Sequence, residues 1–210
     1  RALAEIAAQV PDVVLLDLGL PDSGGLETLE QMQQVLTEAP VIVVSGLQDE
    51  EVALAAVRLG AQDYLMKGRL DGDLLSRVIR HAIERHRAEA RLRWLTMAVE
   101  QSPTSVLITE PSGRIVYVNP QFTRSTGYAA SEAIGRYPRL LKSGLTAPEV
   151  YDELWATILG GKVWRGELQN RHKSGELIWE ALLIAPLHDS RNRIGGAAWS
   201  NGGNPWRKLS

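Results

Sequence analysis

Three polar side chains close three apolar runs. Asp17 ends VVLLD (Val13 to Asp17), Ser45 ends VIVVS (Val41 to Ser45) and Lys67 ends DYLMK (Asp63 to Lys67). A carboxylate that accepts a phosphoryl group needs a cation to offset developing charge, a hydroxyl to hold the product's oxygens and usually a divalent metal. The trio has those chemical types. Each residue alone could be a strand-end solvent contact; their joint order points to a site. An enzymatic alternative, a small hydrolase or phosphatase using Asp17, lacks a general-acid partner at a persuasive spacing.

The trio converges only if the three runs are parallel strands, because ligands collect beyond the carboxyl ends of such a sheet. Runs apolar on both faces suit a parallel sheet covered by helices. Between them Leu26, Leu29, Met32 and Val35 repeat at helical spacing after a turn of Pro21, Asp22, Ser23, Gly24 and Gly25, and Val52, Ala55, Ala56 and Leu59 do so before Gly60. Residues 1–10 read as the end of a further helix. From Asp73 to about Gln101 there is neither Gly nor Pro, which predicts one long helix. Along it Leu75, Ile79, Ile83, His86 and Ala90 alternate spacings of four and three, the pattern of a dimer seam. His86 and Arg93 weaken that seam, leaving a single exposed connector helix as the alternative. Beyond Pro103 the strand candidates SVLIT, RIVYVN, WRGELQNR, LIWEALLIAPL and IGGAAWS alternate with Gly-containing turns and one helical middle. They predict an antiparallel sheet with helices on one face. Trp155, Trp164, Trp179, Trp199 and Trp206 all lie in this half, where they could line a ring-shaped ligand or fill a small core.

Composition narrows the function. The chain has 210 residues, a formal net charge of −2, 44% hydrophobic and 23% charged residues, and a mean hydropathy of −0.13. That is enough apolar surface for two small cores, with no basic footprint for nucleic acid. The absence of cysteine excludes disulfides, thiolate metal sites and thiol nucleophiles, and suits a reducing compartment. No run approaches the roughly 18 apolar residues of a membrane span, so the expectation is a cytoplasmic protein with no membrane and no nucleic-acid partner. With Arg1 at its start, the chain is expected to be a fragment.

LLDLGLPDSGG around Asp17, VVSG around Ser45 and GAQDYLMKG around Lys67 resemble the receiver domain of two-component response regulators, over about residues 1–88. The resemblance implies an α/β parallel-sheet, flavodoxin-like receiver, here incomplete. It implies Asp17 as phosphoacceptor, Ser45 as switch hydroxyl, Lys67 as phosphate-pairing cation and Tyr64 as the aromatic whose rotamer reports the state. A sensor histidine kinase or phosphotransfer protein would be the donor, and Mg²⁺ would bind in part through Asp17. The family's first strand, with its pair of acidic ligands, is missing from this sequence, so an incomplete Mg²⁺ site and inefficient phosphorylation are expected. Gly68 stands where the family usually has proline.

AVEQSPTSVLITEPSGRIVYVNPQFTRSTGY, IGR and WRGELQNRHKSGELIWEALLIAPLHD resemble an α+β PAS domain, nearest to its flavin-binding branch of blue-light LOV and redox-sensing types. An isoalloxazine ring needs a wide apolar slot and amides for its polar edge. By resemblance Asn170 would hydrogen-bond the ring, Arg139 would meet the flavin phosphate, and Trp164 would match the tryptophan of the redox-sensing branch. Glu180 replaces the second LOV asparagine. The LOV reactive cysteine falls at Pro138, which excludes a cysteinyl photoadduct. The resemblance leaves two alternatives open, FAD or FMN in the pocket, or a pocket that is empty or takes another small molecule. Haem is disfavoured, since none of His81, His86, His172 and His188 lies in APEVYDELWATIL. His81 and His86 lack the neighbours of a phosphorylatable histidine. Asn119 and Pro120 look like the PAS turn that caps a helix, and Asn201 lies near a further ring-contacting amide, in a Gly-rich tail that departs from the family.

The two resemblances imply a partial receiver core at 1–72, its last helix continuing as a signalling linker at 73–101, a PAS sensor at 102–200 and a frayed tail at 201–210. They imply a non-enzymatic phosphorelay protein, a homodimer through the PAS domain and linker helix, which couples phosphorylation of Asp17 to a ligand or redox cue. The alternative is a cofactor-free PAS dimerisation module with a degenerate receiver.

Overall fold

The structure, a computed structural model, describes residues 11–19, 25–35, 39–46 and 50–201. The helix expected over residues 1–10, most of the turn at Pro21–Gly24 and the tail from residue 202 lie outside the described residues. The chain divides into two compact units, residues 1–94 and 95–210.

In the first unit β1 (Val14–Asp17), β2 (Val41–Ser45) and β3 (Asp63–Met66) form a parallel sheet in the order β1-β2-β3. Its register pairs Asp17 with Val44 and Ser45 with Met66. The residues of β2 explain why both faces read as apolar. Val41 and Val43 pack on one side with Leu29 and Met32 of α1 (Leu26–Val35) and Ala56 of α2 (Glu50–Arg58). Ile42 packs on the other with Leu65 and Ala82. Helix α2 is followed by Gly60, whose φ of +98° is a conformation that a side chain would strain.

Helix α3 runs unbroken from Gly72 to Glu100. Asp71 opens it, its Oδ1 accepting the N–H of Leu74 at 2.6 Å. Leu75, Val78 and Ile79 pack against the cluster of Ile42, Leu65 and Ala82, and Gln62 donates to Glu89 at 3.3 Å. Two members of the predicted seam, Leu75 and Ile79, are thus taken up by the helix's own sheet. Farther along, Leu92, Trp94, Leu95 and Met97 are exposed.

In the second unit β4 (Val106–Thr109), β5 (Ile115–Val118), β6 (Trp164–Arg171), β7 (Leu177–His188) and β8 (Ile194–Asn201) form an antiparallel sheet in the order β5-β4-β8-β7-β6. The helical middle is α4 (Pro120–Thr126), α5 (Ala130–Ala133), a 3-10 turn at Pro138–Leu141 and α6 (Pro148–Leu159). Asn119 caps α4, with Pro120 at its first position and Gly127 closing it at φ +76°. Two apolar clusters result. Phe122 joins Leu107, Ile115 and Leu141 in one, and Leu154 and Ile158 of α6 join Leu168 and Ile184 in the other, with Trp199 packed against both.

Candidate functional sites

Register brings the first trio to one edge. Asp17 and Ser45 close neighbouring parallel strands, and Lys67 begins the 3-10 turn Lys67–Arg69 immediately after β3 instead of ending the strand itself. Lys67 Nζ lies 2.5 Å from Asp17 Oδ2, with both side chains partly exposed. The other carboxylate oxygen accepts the N–H of Gly19 at 2.9 Å. The Lys67 ammonium, and after it the Gly19 N–H, hold the Asp17 carboxyl below the usual carboxylate range. Ser45 is buried at the end of β2. Tyr64 is half-buried opposite Val43 and packs against the core formed with α1 and α2. Among the described residues no three metal-ligating acids or histidines cluster; Asp17 is the carboxylate that this edge offers a cation.

The second site is a cavity of about 440 Å³ in the PAS-like unit. Leu107, Phe122, Leu141, Leu154, Leu168 and Leu182 give it apolar walls, and its polar end is built by strand register. Asn170 pairs with Ile178, two positions from Glu180, and Asn201 pairs with Leu182, two positions away on the other side. These are diagonal neighbours within reach of long side chains on one sheet face. Glu180 accepts from Asn170 Nδ2 at 2.6 Å and from Asn201 Nδ2 at 2.8 Å. Asn170 and Glu180 are each only 6% exposed.

Cations line the same cavity. Arg139 lies with its guanidinium carbon 4.9 Å from the centroid of the Tyr137 ring, and Lys142 Nζ is 4.0 Å from that of Tyr151. Two lining side chains also carry buried polar atoms without a partner among the described residues, Tyr151 Oη and Trp199 Nε1. Such orphans are costly in an apolar wall. Together with the slot and the buried amide, they fit a planar ligand with a polar edge, as an isoalloxazine is.

Trp164 sits elsewhere than the resemblance implied. It is 3% exposed, packed with Leu154, Ile158 and Ile184, and is not among the cavity's lining residues. Its ring lies over Gly166, where an added Cβ would fall 2.3 Å from a ring carbon, so the glycine makes room for the indole. Asn201, whose Gly-rich flanks obscured it in the sequence, belongs to the polar end. Its signal was the position alone.

The connection at the end of α3 is specific. Asn119 Nδ2 donates to the carbonyls of Val99 and Thr104 at 3.0 and 2.9 Å, and its Oδ1 accepts the N–H groups of Val106 and Phe122 at 2.9 and 3.0 Å. The Tyr117 hydroxyl donates to Glu100 Oε1 at 2.5 Å. Burial and then the Glu100 carboxylate push the Tyr117 phenol up to about 12.

Comparison with known proteins agrees with both halves. Residues 1–79 match the response regulator receiver domain and residues 103–201 the PAS domain. The chain is 38% identical over 96 residues to a nitrogen fixation regulatory protein of Klebsiella oxytoca, covering 46% of this chain and 19% of that protein. It is 43% identical over 88 residues to the KDP operon transcriptional regulatory protein of Escherichia coli, covering 42% and 38%. A blue-light-activated histidine kinase of Rhizobium johnstonii is 32% identical over 131 residues, covering 61% and 36%. The chain therefore spans well under half the length of these relatives. Among solved structures, a PAS domain from Colwellia psychrerythraea superposes with a TM-score of 0.48 at 21% identity, over 55% of this chain and 98% of that one. A LOV domain from an Erythrobacter litoralis blue-light activated histidine kinase gives 0.45 at 28% identity, over 49% and 99%. Among the described residues no helix is long and apolar enough to cross a membrane.

Proposed function

We propose that this chain, a response regulator receiver segment joined to a PAS domain, is a two-component signalling module that takes a phosphoryl group on Asp17 and senses a ring ligand, flavin by preference, in its PAS cavity. The observation that carries the first part is the contact of Lys67 with Asp17 at the carboxyl edge of the parallel sheet. In the transfer, a carboxylate oxygen of Asp17 attacks phosphorus and forms the O–P bond of an acyl phosphate. The P–N bond of a phosphohistidine on the donor breaks, and the imidazole leaves with a proton. Lys67 then pairs with the phosphoryl oxygens, and the Ser45 hydroxyl at the end of the adjacent strand donates to them. A divalent cation would neutralise charge there, and Asp17 is the carboxylate that would hold it.

In the cavity, Asn170 and Glu180 would meet the ring's polar edge and Arg139 a phosphate on its tail. Bound flavin would supply a redox state to be sensed. Either event would act by shifting the population of α3 conformations. The exposed Leu92, Trp94, Leu95 and Met97 support an association of two copies through this helix. The module itself needs no turnover beyond accepting the phosphoryl group, and its place is the cytoplasm, where histidine kinases donate.

The test has two arms. The full chain is incubated with a small phosphodonor and Mg²⁺ and then weighed. A mass gain of one phosphoryl group, absent in Asp17→Asn, supports the receiver reading; the same gain in the variant sinks it. The absorbance spectrum of the protein after incubation with FAD or FMN and removal of excess should show bound oxidised flavin. Colourless protein points to the cofactor-free alternative.

A further inference from the structure

Helix α3 carries a second pattern on the side turned away from its sheet. Leu75, Val78, Ile79 and Ala82 pack inward. Arg77, Arg80, Glu84, Arg87 and Arg91, all exposed, follow one another at spacings of three, four, three and four, which sets them in a single row along the helix. At 1.5 Å per residue the row is about 21 Å long. Between residues 77 and 93 the sequence has six arginines, no lysine and two glutamates, whereas the 76 residues before it have four basic and thirteen acidic groups. A near-neutral chain thus concentrates positive charge on one helix. Arg87 meets Asp12 at 2.9 Å with both side chains largely exposed, a contact that water weakens and a partner can exchange. Among the described residues no ion pair engages Arg77, Arg80, Glu84 or Arg91.

We propose that this row docks an acidic α-helix of a partner protein, one with carboxylates at the same alternating spacing and a cationic residue opposite Glu84. The spacing argues the shape, because a three-four row is the seam along which two helices stay in contact. The residue type argues the charge: a guanidinium offers a planar fork that meets a carboxylate with two bonds, as an ammonium does not. Two other occupants fit less well. The row reads Arg-Arg-Glu-Arg-Arg in both directions, so a second copy laid along it, parallel or antiparallel, sets like charge against like at all five positions. Leu92, Trp94, Leu95 and Met97, which support an association of two copies, come after the row. A nucleic-acid strand would meet the Glu84 carboxylate and, beyond the row, the field of the acidic segment that precedes it.

Fluorescence anisotropy of labelled probes titrated with the full chain tests this. One probe is an alanine-based helical peptide carrying Glu, Glu, Lys, Glu and Glu at three-four spacing. The second has the same composition with those residues spread around the helix, and the third is duplex DNA. The striped peptide is expected to bind at least roughly tenfold more tightly than the scrambled one, since an exposed ion pair is worth roughly two- to fivefold in affinity and four act together. In Arg80→Gln/Arg91→Gln that preference should fall to about threefold or less. Glu84→Lys should reverse the register, favouring a striped peptide with glutamate in place of its lysine. Equal affinity for striped and scrambled peptides, an undiminished preference in the double variant, no binding of the striped peptide, or tighter binding of duplex DNA would overturn the proposal. Circular dichroism verifies that the variants are folded.

Discussion

The two polar sites solve opposite problems. Asp17 and Lys67 meet at a sheet edge with about a third and a half of their side chains in solvent. Asn170 and Glu180 sit on a sheet face at 6% exposure. A carboxylate that must be reached by a bulky phosphodonor has to lie open, and its charge is then largely screened by water. A carboxylate that reads a ring edge has to be dry, and in that setting every donor and acceptor must be supplied by its neighbours. The first site should therefore be sensitive in chemistry and tolerant in stability, and the second the reverse.

Four variants sharpen or break that contrast. Phe122, at 1% exposure, fills the wall of the buried site and begins the capped turn of α4. Phe122→Ala should cost about 3–5 kcal/mol in urea unfolding, and a loss under about 1 kcal/mol would mean that the cavity wall is not part of the core. Glu180→Ala leaves two amides without their acceptor and should cost about 1–3 kcal/mol. Lys67→Met, by contrast, should lower the unfolding midpoint slightly but measurably at neutral pH while phosphoryl uptake falls at least roughly tenfold; equal uptake would remove Lys67 from the site.

The pH dependence of stability separates the two regions further. Lys67 holds the Asp17 carboxyl below its ordinary value, so the folded state binds fewer protons there than the unfolded chain. The stabilisation is present above the ordinary aspartate range and is lost as pH falls through the folded value. The difference between wild-type and Lys67→Met melting temperatures should close on acidification; a constant difference would refute the pairing. At the opposite extreme, burial and the Glu100 carboxylate push the Tyr117 phenol up to about 12, above its unfolded value. Its contribution should be whole below about pH 10 and decline from there to about 12. Spectrophotometric titration of Tyr117→Phe should lack one late-ionising phenol, the smallest effect of the four.

Legibility in the sequence followed the same divide. Asp17, Ser45 and Lys67 could be read because strand-end polar residues after β-branched runs are a local pattern, and parallel register then does the rest. Strand β6 was read to the residue, WRGELQNR, yet Trp164 and Asn170 share a face and differ in surroundings. α6 covers the tryptophan end while the cavity opens at Leu168 and Asn170, and alternation cannot distinguish the two ends. Leu75 and Ile79 carry a spacing that suits a partner helix or a sheet equally, and the parallel sheet claimed them. Asn201 was obscured by the glycines and proline beside it, although its pairing with Leu182 is set by distant strands.

Asn119 has no hydrogen-bonding capacity to spare: both amide hydrogens and both carbonyl lone pairs are engaged by four separate backbone groups, at Val99, Thr104, Val106 and Phe122. An aspartate of the same shape would point oxygen at two carbonyls, and a leucine would remove all four bonds. The joint where the long helix hands over to the sheet is thus keyed to one amino acid. Within this unit the last turn of α3, the start of β4 and the first turn of α4 therefore all answer to a single side chain.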